Sequence, residues 1–94
     1  MRVRWSANAK ADLRELKALI SRDSAFYARR FVSKIMDSAG KLCDQPQLGR
    51  RVPEADRDDI RELLFQNYRI IYRLRHNDVY ILTVVHGTRD LASR

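Results

Sequence analysis

The apolar residues of this chain change their spacing once, and that change bounds what it can fold into. From Ala9 to Leu42 they recur every three or four positions, whereas from Tyr68 onward they recur every second position. The first rhythm belongs to helices with one apolar stripe, the second to a strand with one packed face. In 94 residues there is room for one core and one domain, spanning 1–94. Helices first and strands afterwards predict an α+β fold, with the helices on one face of a mainly antiparallel sheet.

Arg2, Val3, Arg4 and Trp5 alternate as a short strand does, with Val3 and Trp5 on one face. Ser6 stands where an N-cap belongs. Ala9, Leu13, Leu16 and Ile20 then mark a helix to about Arg22, with Asp12 and Arg22 placed to suit its dipole. Asp23 or Ser24 can cap a second helix along Ala28, Phe31, Ile35, Ala39 and Leu42, which Pro46 stops. So short a connection predicts an antiparallel helical hairpin. The stretch 45–59, with Pro46, Gly49 and Pro53, reads as an irregular connector holding at most one short strand. Three strands follow, over 60–65, 68–75 and 79–86, so the expected order is β-α-α-β-β-β.

Turn residues give a provisional register. A two-residue loop at Gln66 and Asn67 sets Phe65 opposite Tyr68, Leu63 opposite Ile70 and Leu64 opposite Arg69, with Glu62 diagonal to Arg69 and Arg73. A loop at Asn77 and Asp78 sets Leu74 opposite Ile81, Tyr72 opposite Thr83, Ile70 opposite Val85 and Arg69 opposite His86.

Composition enters through charge and cysteine. Fifteen arginines and four lysines against twelve acids give a net charge of +7, which favours a polyanionic partner, either nucleic acid or an acidic protein segment. The single cysteine, Cys43, excludes a disulfide framework and suits a reducing, cytoplasmic setting, with burial as a small apolar side chain its expected role. No apolar run approaches a membrane span, and the start lacks the apolar core of a signal peptide. With no glycine-rich phosphate loop and no Cys–His spacing, neither a cofactor nor a metal is expected.

One sheet face should be left open, and beside the connector it collects Arg69, Arg73, Arg75, His86, Glu62 and Glu54, with Arg61 and Arg89 near its ends. These side-chain types could cleave RNA without a metal. Glu54 or His86 would move the proton, while Arg69, assisted by Arg61 or Arg89, would stabilise the phosphorane charge. Simpler roles compete: alternate arginines as a solvated face, Glu62 as their ion-pair partner, Tyr68 and Tyr72 as core aromatics, His76 as a loop residue.

Val3-Arg4-Trp5-Ser6 with Ala9, Asp12 and Leu13, then Pro46, Gly49-Arg50, Val52-Pro53-Glu54, Ile60-Arg61-Glu62-Leu63, Tyr68-Arg69-Ile70-Ile71-Tyr72-Arg73 and Val85-His86-Gly87 with Arg89, together resemble the RelE/ParE superfamily of bacterial toxins. The resemblance implies a toxin of a type II toxin–antitoxin pair, held inert by an antitoxin whose flexible, often acidic segment covers a basic surface. Partner-binding residues expected there are Arg69, Arg73, Arg75, Tyr80 and Leu82. The superfamily divides into RelE-like nucleases that cleave mRNA on the ribosome and ParE-like poisons of DNA gyrase. Arg69 matches the phosphate-binding arginine of the nucleases. Glu62-Leu63, where they carry a second basic residue, and a tail without tyrosine after Gly87 set the chain closer to the ParE-like branch.

Overall fold

The computed structural model describes residues 1–88. Strand β1 (Arg2–Trp5) leads into helix α1 (Ala7–Ser21) and helix α2 (Ala25–Gly40), and a short 3-10 turn, Lys41–Cys43, ends the hairpin. Strands β2 (Arg50–Arg51), β3 (Ile60–Phe65), β4 (Tyr68–Arg75) and β5 (Asp78–His86) follow. The sheet order is β1-β5-β4-β3-β2, with β1 parallel to β5 and every other neighbour antiparallel. The α+β architecture expected from the change of spacing is the one observed.

Both helices begin where the caps predict. The Ser6 hydroxyl accepts the Ala9 N–H at 3.0 Å and the Ser24 hydroxyl accepts the Tyr27 N–H at 3.1 Å, each satisfying a donor that the helix start leaves unpaired. Their stripes meet the sheet in one core, where Ile35, Ala39, Leu42, Ile70, Tyr72 and Ile81 are wholly buried. Phe31 meets Phe65 and Tyr68 edge-on, at ring separations of 5.5 and 5.7 Å.

The β3–β4 register is the expected one, with Phe65 opposite Tyr68 and Leu64 opposite Arg69. The β4–β5 register is not. The loop is His76 and Asn77, both at positive φ, and Leu74 lies opposite Val79. A hairpin loop of this twist needs two left-handed residues. Asp78 is instead held in the strand by Arg4, whose Nε donates to it at 2.9 Å. An irregularity at Ile71/Tyr72 then shifts the ladder by one, so Ile70 faces Val84, Arg69 faces Val85 and Tyr68 faces His86. The shift moves His86 away from Arg69 and onto the helix side of the sheet.

Two single-residue expectations also change. Asp12 lies beyond the first turn of α1 and serves the sheet: its carboxylate accepts the Val84 N–H at 2.9 Å and the Thr83 hydroxyl. The reason is the shortness of β1, which pairs only with 78–81 and, among the described residues, leaves the rest of that β5 edge without a neighbouring strand. The start of α1 supplies what the missing strand would, with Ser6 and Asn8 both donating to the Leu82 carbonyl. Cys43 is exposed, because Leu42 takes the inward position of the 3-10 turn.

Tyr72 ties the connector to the main core. Tyr72, wholly buried, donates its hydroxyl to the Pro46 carbonyl and accepts the Gly49 N–H, both at 2.9 Å, and burial holds its phenol above the ordinary range. Tyr72→Phe should cost about 1–3 kcal/mol, since it strands a buried donor and a carbonyl at once. A denaturant midpoint unchanged from the parent would refute that pin.

Candidate functional site

The sheet face away from the helices is not uniformly open. The connector folds over its β3 end, where Val52, Ile71 and Val85 form a second small core. Arg69 lies beneath it, its side chain 7% exposed, in a chain of ion pairs. Its Nε donates to Oε1 of Glu62 at 2.6 Å, and its two terminal nitrogens donate to the two carboxylate oxygens of Glu54, each at 2.9 Å. Arg50 holds the second oxygen of Glu62, whose side chain is fully buried. Glu54 first and Glu62 second hold the Arg69 guanidinium above the ordinary arginine range, against the opposing effect of burial.

The other candidate catalytic residues are placed as follows. Glu54 is the fork that closes on Arg69. Arg61 donates to the carbonyls of Gly49 and Asp58, bracing the connector. His86 stands edge-on to Tyr68 at 5.6 Å with its Nδ1 against the Thr88 hydroxyl. Arg69 and His86 do border one surface cleft of about 250 Å³ at the β3–β4 turn, which Arg50 also lines. Arg89 lies outside the described residues.

Toward the other end of the face, four of the five expected partner-binding residues come together. Arg73, Arg75, Tyr80 and Leu82 line a groove of about 420 Å³ with Ser6 and His76. Arg73 and Tyr80 are direct cross-strand neighbours. Arg73 is steadied by Asp59, its Nε donating at 3.1 Å, and the bond from Arg57, with a further one from Arg73, holds the Asp59 carboxyl below its usual range against some desolvation. Arg75 donates to the His76 ring at 3.0 Å. Arg69, the fifth residue of that expectation, belongs to the buried cluster instead.

Neither Arg50, which entered only through the resemblance, nor Asp59 was expected at the site. Both lie in the irregular connector, where no periodicity points to a face. The available signal was numerical: the connector carries the carboxylates that the arginines of β4 lack on their own strand. Among the described residues no three His, Cys, Asp or Glu side chains form a group able to hold a metal, and no helix is long and apolar enough to cross a membrane.

A basic α+β domain with a braced connector, a neutralised arginine cluster and an amphipathic groove is what comparison with known proteins meets as a bacterial toxin. The chain belongs to the ParE toxin family of type II toxin–antitoxin systems, parDE, whose pattern matches residues 3–91. It is 36% identical over 90 residues to Y4kP, a candidate toxin of Sinorhizobium fredii, covering 92% of this chain and 88% of that protein. Its fold is similar to a solved chain of the chromosomal ParDE toxin–antitoxin system from P. aeruginosa, with a TM-score of 0.78, 19% identity, and coverage of 92% of this chain and 95% of the other. The chain is thus a toxin of the type that an antitoxin neutralises.

Proposed function

We propose that the chain acts in the cytoplasm as a poison of DNA gyrase, and that its antitoxin silences it by laying an acidic, flexible segment along the groove of Arg73, Arg75, Tyr80 and Leu82. The observation that carries the choice of gyrase over mRNA is the state of Arg69. A phosphate clamp needs a guanidinium that can meet a new anion, and this one already holds two carboxylates, one of them fully buried. Displacing the pair would leave charges uncompensated in a poorly hydrated place. ParE membership points the same way. The groove suits an antitoxin because it joins apolar Leu82 and amphipathic Tyr80 to two cations, and a segment that folds on binding draws affinity from such mixed surface.

Purified toxin should inhibit ATP-driven supercoiling by gyrase and leave ribosome-bound mRNA intact, and antitoxin should reverse the inhibition. Ribosome-dependent mRNA cleavage with normal supercoiling would replace this reading by the nuclease one, for which the shared cleft of Arg69 and His86 would be the place to look. Tyr80→Ala together with Leu82→Ala should weaken antitoxin binding roughly 10- to 100-fold, the range expected for losing central anchors. Unchanged affinity by titration calorimetry would move the antitoxin elsewhere.

A further inference from the structure

Charge is arranged differently on the two sides of the molecule. On the sheet side Arg4, Arg50, Arg51, Arg57, Arg69 and Arg73 are ion-paired, while Arg2, Arg61 and Arg75 make no ion pair with a described residue. Among the described residues no cation of α1 or α2 makes an ion pair. Two of these, Arg30 and Lys34, are one helical turn apart and border a cleft of about 270 Å³ between α2 and the β3–β4 turn. Its other walls are Phe26, Tyr27, Phe31 and Gln66. Phe26 and Tyr27 are 62% and 53% exposed, which is costly for rings that serve only the fold. The Arg30 guanidinium lies over the Phe26 ring at 5.7 Å, which steadies both.

Exposed aromatic planes beside unpaired cations are the two parts of a site for single-stranded nucleic acid: bases stack on the rings while phosphates meet the charges. Gln66 adds an amide that can both donate and accept at a base edge. We propose that this cleft binds single-stranded DNA, with a base against Phe26 and Tyr27 and its phosphates on Arg30 and Lys34. Two adjacent exposed rings offer flat faces that stack on planar bases, and competition by an acidic peptide is the control for the cations alone. The preference for DNA over RNA rests on the gyrase reading, because a topoisomerase works on cut DNA strands.

The test is fluorescence anisotropy of a labelled oligo-dT of about twelve nucleotides with the full-length toxin, without gyrase. Phe26→Ala should weaken binding by roughly 5- to 150-fold, the range for losing one stacked base. Arg30→Ala with Lys34→Ala should flatten the log–log salt dependence by about 1.4, two phosphates at about 0.7 each. Arg14→Ala with Lys17→Ala removes the same charge from exposed positions on α1 and should leave the affinity within about threefold and the slope unchanged. All the replaced side chains lie at exposed positions, and circular dichroism checks that each variant folds.

Absence of oligo-dT binding overturns the proposal. So does equal weakening by the two double variants, which would reduce the effect to net charge, or an affinity indifferent to Phe26. Tighter binding of oligo-rU, or equal competition by a poly-glutamate peptide, would assign the cleft to RNA or to an acidic protein segment and also overturn it. Normal oligo-dT binding by a toxin that leaves gyrase untouched would instead sink the gyrase reading and spare the site.

Discussion

Arg69→Ala should lower the unfolding free energy by about 3–5 kcal/mol, the range for removing one partner of a buried ion pair. The loss comes less from the bonds themselves than from what remains. Glu62, fully buried, would keep only Arg50, whose side chain is 63% exposed, and Glu54 would lose its two bonds to Arg69. Arg69→Lys keeps the charge but cannot fork to Glu54 while also reaching Glu62, so it should fall between the parent and alanine. Urea denaturation of each variant measures this directly. Toxicity lost in proportion to stability marks Arg69 as a scaffold residue. A variant of parental stability that has nevertheless lost its activity would identify Arg69 as a functional contact and reopen the nuclease reading.

Gly49→Ala is the second large effect, and its cause is steric. A Cβ at that position would sit 2.4 Å from the Glu62 carbonyl oxygen and 2.7 Å from the Tyr72 hydroxyl oxygen. The nearer atom is backbone in the middle of β3 and cannot turn aside. The connector must therefore lift from β3, disturbing the bond from Arg61 to the Gly49 carbonyl and the Tyr72 pin together. Overpacking of this kind costs about 1–3 kcal/mol, and the hydrogen bonds lost with it take the expected total to about 3–5 kcal/mol. A thermal melt within a degree of the parent would show that the connector yields without consequence. Because Arg69→Ala and Gly49→Ala disturb the same lid, the double variant should lose less than the sum of the two.

Much of this fold is legible in the residues because each helix states its start, its face and its end locally. Ser6 and Ser24 cap as their side chains dictate, and the stripe from Ala28 to Leu42 is buried. The β4–β5 register is not legible, because His76-Asn77 and Asn77-Asp78 are comparable turn candidates, and the bond that Asp78 accepts within the strand comes from Arg4, distant in sequence. That displacement of the loop moves the ladder by two and keeps each residue on its face; the one-residue irregularity that follows decides which face His86 occupies. The groove is the more legible part in placement, since Arg73, Arg75 and Tyr80 lie on regularly paired stretches of strand, while Leu82 sits at the irregularity of β5. The arginine cluster is the worse-read part, since its carboxylates come from a connector whose path only tertiary packing sets.

The parallel pairing of β1 with β5 bears on how the molecule comes into being. The helical hairpin can form from neighbours in sequence as soon as it is made, but its apolar stripes rest on strands that come much later, and among the described residues β1 finds its place beside β5, the last of them. Contacts so far apart along the chain form late and slowly. During synthesis the half-built protein therefore has helices without a floor, and no sheet against which the connector could close. Harm and stability arrive together, once residues near 86 have left the ribosome. A chain stopped short of them should be neither a folded protein nor a toxin, only a substrate for proteases.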